Sequence, residues 1–346
     1  MKLHILAAAF GAVVLMVAGP VRAQEADPLE KAIDLLQEDP VSALAELERL
    51  AAAGDAEAMN MVAIVVNDPP AGISADPARA MQLWEQAFAA GSKGARLNLG
   101  TRLLLNDDAG DDARAVEMLR DVEPDLIGIA AYPLGRAYLF GNGVEQDLGR
   151  GSRLMAMAVE QSPGNMDAQF LLGRAYQNGW GIPPDPEAGY RHLKIAADAG
   201  DYRAQWNVGM MLLDGVGVAS NPVLARQYVQ RSADAGYEQG MISLGVMLAV
   251  GQGGGVDAPA ARDWYLRAAR GGSAHALRGL GAMMAVGEGG PADLATGAAY
   301  LQLAAESGDE IARTLLRQWS ARIATVDPAK VRLAREQWIS ANGAPR

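Results

Sequence analysis

The chain has 346 residues, half of them hydrophobic, with 41 acidic against 30 basic side chains and no cysteine. A net charge of −11 disfavours nucleic acid and anionic lipid as partners. The absence of cysteine excludes disulfides, thiolate nucleophiles and thiolate metal sites together.

Residues 1–23 read as an export signal. Lys2 and His4 form a short basic start, Ile5 to Val17 are almost wholly apolar, and Val21-Arg22-Ala23 places small residues before a cut at Gln24. An apolar core of about 13 residues is too short for the roughly 20 that a spanning helix needs, so cleavage is expected rather than anchoring. No cysteine follows to carry a lipid. Loss of Lys2 and Arg22 would take the net charge from −11 to −13. The expected product is an exported protein with no stable membrane insertion, periplasmic or, alternatively, secreted.

Residues 24–54 read as a divergent N-terminal helical hairpin, Leu29 to Gln37 and Val41 to Ala53. From 55 to 308 two markers recur together. A Leu/Val-Gly pair ends at Gly100, Gly135, Gly173, Gly209, Gly245 and Gly281, with intervals of 35, 38, 36, 36 and 36 residues. A small residue followed by glycine keeps step at Ala197…Gly200, Ala233…Gly236, Ala269…Gly272 and Ala305…Gly308. One shared period of about 36 residues means a stacked array of like units, here seven.

With the pair's glycine as position zero, position −5 is small (Ala95, Ala130, Ala168, Ala204, Gly240, Ala276). Position +3 is large (Leu103, Tyr138, Tyr176, Leu212, Leu248, Met284). Spacing by four puts −5, −1 and +3 on one stripe of a first helix, A. Glycine inside a helix costs about 1 kcal/mol relative to alanine, so its repetition points to close approach of a partner helix. Glycine-rich connections follow, as in Gly141-Asn142-Gly143-Val144 and Gly215-Val216-Gly217-Val218, whose first glycine suits a left-handed helix end. Asp76-Pro77, Asp185-Pro186, Asn221-Pro222 and Asp257 then give the start signal of a second helix, B. Eight residues before the glycine that ends helix B stand His192, Tyr228, Trp264 and Tyr300. Opposed to small residues, these large ones predict an interlocked hairpin. A lone hairpin exposes an apolar face, so neighbours must stack. Residues 309–346, with Leu315, Trp319, Ile323, Val331 and Trp338 at helical spacing, read as capping helices.

These residues resemble the Sel-one-like repeat (SLR) family, relatives of the tetratricopeptide repeat. Ala130-Tyr138-Gly141-Gly143-Val144-Asp147, Ala168-Leu172-Gly173-Tyr176-Gly179-Gly181 and Ala261-Trp264-Tyr265-Ala268-Ala269-Gly272 carry the family pattern. The match is good over 165–308 and looser back to 55, where the unit at 92–128 lacks the Gly-x-Gly loop. The resemblance implies an all-α, right-handed solenoid of antiparallel helix-turn-helix repeats. It also implies a non-catalytic scaffold or adaptor that holds a protein or peptide on its concave face.

Chemistry is hard to find in the residues themselves. Neither a phosphate-binding Gly-x4-Gly-Lys-Ser/Thr nor a Gly-x-Ser-x-Gly elbow is present, and each Gly-x-Gly follows a helix rather than a strand. His192 stands where other units carry an aromatic, which makes it a core substitute, and His275 opens a helix A. Asp107-Asp108 and Asp111-Asp112 read as solvated loop charge. Trp180 is either an exposed anchor or packed beneath its loop. No enzyme, cofactor or metal is expected, and the chain is expected to be a monomer. An envelope hydrolase or cell-wall-binding protein on the same repeats is the competing class. Candidate partner-binding residues are the long polar side chains in register on helix A: Arg136 and Arg174 at position +1, and Arg96, Gln169 and Gln205 at position −4. Stacking is expected to bring Arg136 and Arg174 side by side, facing an acidic partner.

Overall fold

The computed structural model describes residues 27–106, 110–120 and 127–345. The export signal read over 1–23 and the Asp107-Asp108 pair lie outside them. Among the described residues there are nineteen helices and no strand. They are α1 (Pro28–Leu35), α2 (Pro40–Ala52), α3 (Ala56–Asn67), α4 (Pro77–Ala89), α5 (Lys93–Leu105), α6 (Asp112–Arg120), α7 (Ile127–Phe140), α8 (Leu148–Gln161), α9 (Met166–Asn178) and α10 (Pro186–Asp198). There follow α11 (Tyr202–Asp214), α12 (Pro222–Asp234), α13 (Glu238–Val250), α14 (Ala258–Arg270), α15 (Ala274–Val286), α16 (Leu294–Glu306), α17 (Glu310–Gln318), α18 (Ser320–Ile323) and α19 (Pro328–Asn342). From α3 to α16 the odd-numbered helices are the A helices and the even-numbered ones the B helices.

Helix starts obey local chemistry. The carboxylates of Asp76, Asp147, Asp185, Asp257 and Asp293, and the amide of Asn221, each accept the backbone N–H three residues on, so every B helix from α4 onward except α6 begins on a side-chain cap. Such a cap stabilises a helix by about 1 kcal/mol.

The glycine of each Leu/Val-Gly pair lies against the B helix of its own hairpin. A Cβ on Gly209 would stand 2.5 Å from Val229 Cγ2 and 3.1 Å from the Ala225 carbonyl. On Gly173 it would stand 3.0 Å from the Leu193 nitrogen, and on Gly281 2.9 Å from the Gly297 carbonyl. The expected close approach is therefore present, backbone to backbone at Gly173, Gly209 and Gly281, and against side chains at Gly100 and Gly245. Flanking residues fill the core: Leu99, Leu134, Val208 and Leu244 are fully buried, as are the −5 alanines.

A second contact joins consecutive hairpins. The second glycine of the Gly-x-Gly loop also has positive φ, +71° at Gly217. Its α-carbon presses on the first turn of the B helix one repeat earlier: Gly143 on Asp112, Gly181 on Gly149, Gly217 on Pro186, Gly253 on Pro222 and Gly289 on Ala258. Side chains five residues after the B-helix cap reinforce the joint. Ser152 Oγ donates to the Trp180 carbonyl (2.6 Å), Arg226 to the Gly255 carbonyl (3.1 Å), and Arg262 to the carbonyls of Met283 (3.0 Å) and Glu288. The Gly143 contact also corrects the reading of Asp112, which is 7% exposed rather than solvated.

Packing divides the described residues into two compact units, one drawn from 27–168 with 180–182, the other of 169–179 with 183–345. In the first, α1 and α2 bury Ala32, Ala43 and Leu47, and consecutive helices pack pairwise up to α8. In the second, the pairwise stacking runs from α10 to α16. It ends where α19 turns back on α16, burying Val331 against Ala298 and Ala299 and setting Trp338 edge-on to Tyr300 at 4.9 Å.

Candidate functional site

Packing accounts for most of each repeat's marked positions, so a functional surface must come from what remains on the A helices. Successive A helices meet directly. Asn98 on α5 donates to Asn60 on α3 at 2.8 Å, and Trp206 Nε1 on α11 donates to Ser243 on α13 at 2.9 Å. Asn60 is buried, whereas Asn98, Trp206 and Ser243 are half-buried.

The sequence-chosen residues fall into two groups. Position −4 turns towards the B helices. Gln169 is 2% exposed, and its Oε1 meets His192 Nδ1 at 2.8 Å. Gln205 is 8% exposed, and its Nε2 donates to the Ala197 carbonyl at 3.2 Å. Arg96 Nε donates to the Met118 carbonyl at 2.7 Å. The expectation that Gln169 and Gln205 lie exposed in a groove is thus corrected: both are interior, since −4 sits one helical turn from the buried zero position. At position +1, Arg136 and Arg174 are half-buried, and Arg136 lies 5.9 Å from the Tyr132 ring. Arg136 belongs to the first unit and Arg174 to the second.

His192 replaces an aromatic as expected. Its ring stacks on Tyr176 at 5.7 Å with 8° between planes, and burial holds its pKa below the usual imidazole value. Trp180 is half-buried, its carbonyl engaged by Ser152.

A cluster that sequence reasoning missed lies in the second unit, where α11 and α13 begin. Tyr202 and Tyr237 have ring centroids 5.3 Å apart, and Trp206 stands edge-on to Tyr237 at 6.1 Å. The Arg203 guanidinium lies 4.5 Å from the centre of the Phe170 ring and pairs with Asp201. Burial pushes the Tyr237 phenol above its ordinary pKa, while the charges of Arg174 and Arg203 pull it down. The signal was available in the sequence. Position −8 is Ser92, Asn165, Asp201 and Ser273 in four other units, each capping its A helix, Ile127 in the unit of Gly135, and Tyr237 here.

Among the described residues no group of histidine and carboxylate side chains is placed to hold a metal ion, and no helix is long and apolar enough to cross a membrane.

The architecture is that of an α-solenoid: antiparallel helical hairpins joined through their loops. The Sel1 repeat family model matches residues 56–92, 128–163, 167–201, 203–237, 239–273 and 274–309, and the chain belongs to that family. A crystal structure of a Sel1 repeat protein from Oxalobacter formigenes shares the fold at 22% identity and a TM-score of 0.55, covering 92% of this chain and 99% of that one. A protective antigen of uropathogenic Escherichia coli strains with an SLR fold aligns at 17% identity and a TM-score of 0.47, over 91% of this chain and 84% of that one. No curated protein matches the sequence. Arrays of this family are scaffolds that typically mediate protein–protein interactions.

Proposed function

We propose that this chain is a non-catalytic adaptor or regulator of the bacterial-type cell envelope, which holds a protein or peptide on the open face of its A helices. The observation that carries the reading is how the repeat is spent. Its glycines, alanines and caps are consumed in hairpin closure and stacking, while Tyr202, Trp206, Tyr237 and the +1 arginines lie on the A helices and their leading turns. The N-terminal leader pattern supports export, and the acidic balance favours a protein partner over nucleic acid. The chain acts as a monomer in this reading.

The test is capture of a partner from envelope extracts by the chain lacking residues 1–23, followed by affinity measurement. Arg136→Ala with Arg174→Ala is expected to weaken the complex in a salt-dependent way while leaving the helical spectrum unchanged. A partner that binds the folded double variant at wild-type strength would move the site off position +1. Recovery of no envelope protein at all would overturn the adaptor reading.

A further inference from the structure

The internal repeats supply their own comparison. Asp55, Ser92, Asn165, Asp201, Ser273 and Asp309 each cap an A-layer helix with a side-chain hydrogen bond. Tyr237 stands in that place before α13 and makes no cap bond. A helix start normally gains from such a cap, so an aromatic held there at the expense of the cap breaks a local rule that the neighbouring repeats keep. The aromatic is not there to fill a core. Tyr237 is only half-buried, its neighbour Trp206 is likewise, and Tyr202 is 44% exposed.

The charge around these rings is asymmetric. Asp201 is drawn inward, its carboxylate capping Ala204 N at 2.9 Å with a side chain 10% exposed, whereas its ion-pair partner Arg203 is 33% exposed. Arg174 acts on the same tyrosine from α9. What is accessible there is thus a set of partly exposed aromatic rings beside the Arg203 guanidinium, with the half-buried Arg174 adding positive charge, on a chain that is otherwise acidic. Tyrosine, tryptophan and arginine are the residues that dominate protein–protein hot spots.

We infer that Tyr202, Trp206 and Tyr237, with Arg174 and Arg203, form a docking site for an acidic segment of a partner protein that carries an aromatic or proline anchor. The anchor seats against the Trp206 and Tyr237 rings, and the flanking carboxylates meet the arginines. This site rests on the adaptor reading and specifies it. A basic segment is rejected by the same charges.

The experiment uses a fluorescein-labelled twelve-residue peptide with Pro-Trp at its centre and Asp and Glu on both sides. Two companions replace the acids by lysine, or Pro-Trp by Gly-Ser. Anisotropy titrations on the whole chain are expected to show binding of the first peptide alone, weakening as salt is raised. Tyr237→Ser restores a cap residue and Trp206→Ala removes a ring. Each is expected to weaken binding about tenfold or more, and Tyr237→Ser to do so without lowering the unfolding temperature. Arg203→Ala is expected to flatten the salt dependence. Absence of binding to the acidic peptide, equal binding of the lysine peptide, or unchanged affinity in both ring variants would overturn the inference. A dimer that Tyr237→Ser dissolves would assign the patch to a second copy instead, and so overturn it too. An envelope partner that still binds Tyr237→Ser and Trp206→Ala would sink this site while leaving the adaptor reading intact.

Discussion

The two glycines of one loop separate backbone conformation from repeat stacking. Gly215 and Gly217 have nearly the same φ, +72° and +71°, so alanine at either meets a similar left-handed strain of roughly 1–2 kcal/mol. Their surroundings differ. A Cβ at Gly215 meets Ser220 Cβ at 3.4 Å, an ordinary contact. At Gly217 it would enter the Pro186 carbonyl and stand 3.0 Å from the Glu187 nitrogen. Those atoms are backbone in the first turn of α10, so no rotamer change relieves the overlap, and overpacking of this kind costs roughly 1–3 kcal/mol more. Gly215→Ala should therefore cost about 1–2 kcal/mol and Gly217→Ala about 2–5 kcal/mol. At roughly 2–4 °C per kcal/mol, the second variant should melt several degrees below the first. Urea unfolding followed by circular dichroism measures the difference. Hydrogen exchange should find the added loss at the start of α10, one repeat away from the substitution. Equal shifts for the two variants, or exchange confined to the mutated loop, would show that the glycine joint does not hold the repeats in register.

Within a hairpin, Gly209→Val drives side-chain atoms into Val229 and the Ala225 carbonyl and should cost roughly 1–3 kcal/mol. The same change at exposed Asp214 should stay within about 0.5 kcal/mol, and matching thermal shifts would dispose of the packing argument. His192 makes an acid-sensitive element. Burial first, and then the charge of Arg191, lower its pKa from the ordinary 6.5, so the unfolded chain binds this proton more readily than the folded one. Its contribution to stability is full above pH 6.5 and is lost as pH falls from there through the folded-state value. His192→Phe should remove that part of the pH dependence, as read from unfolding temperatures between pH 7.5 and 5, and identical profiles would refute the assignment.

The repeat's scaffold was legible because it is written in residues with one mechanical meaning. Gly209 and its equivalents announce close approach, and Asp185-Pro186 announces a helix start. The second glycine of the loop reads as a turn residue alone, because its partner, Pro186, lies in another repeat and no local pattern reveals the contact. Gln169 and Gln205 were misplaced because polarity suggests exposure, whereas both side chains reach inward to His192 and the Ala197 carbonyl. Tyr237 was open to notice as a broken cap. Ser92, Asp201 and Ser273 share position −8, so the break shows only when that position is compared from unit to unit.

A joint made of main-chain atoms asks little of either side: a glycine in one repeat, and the opening turn of a helix in the one before. Asp112, Gly149, Pro186, Pro222 and Ala258 bring four kinds of side chain, yet each serves as the seat. Where the second loop glycine is present, the joint depends on the main chain of the seat and not on its side chain. Duplication or deletion of a stretch of about 36 residues that keeps both the glycine and the opening turn is therefore expected to preserve the junction. The number of repeats is thus free to drift by recombination without redesign of a core. Selection on the outward residues, such as those around Tyr237, can then proceed one repeat at a time.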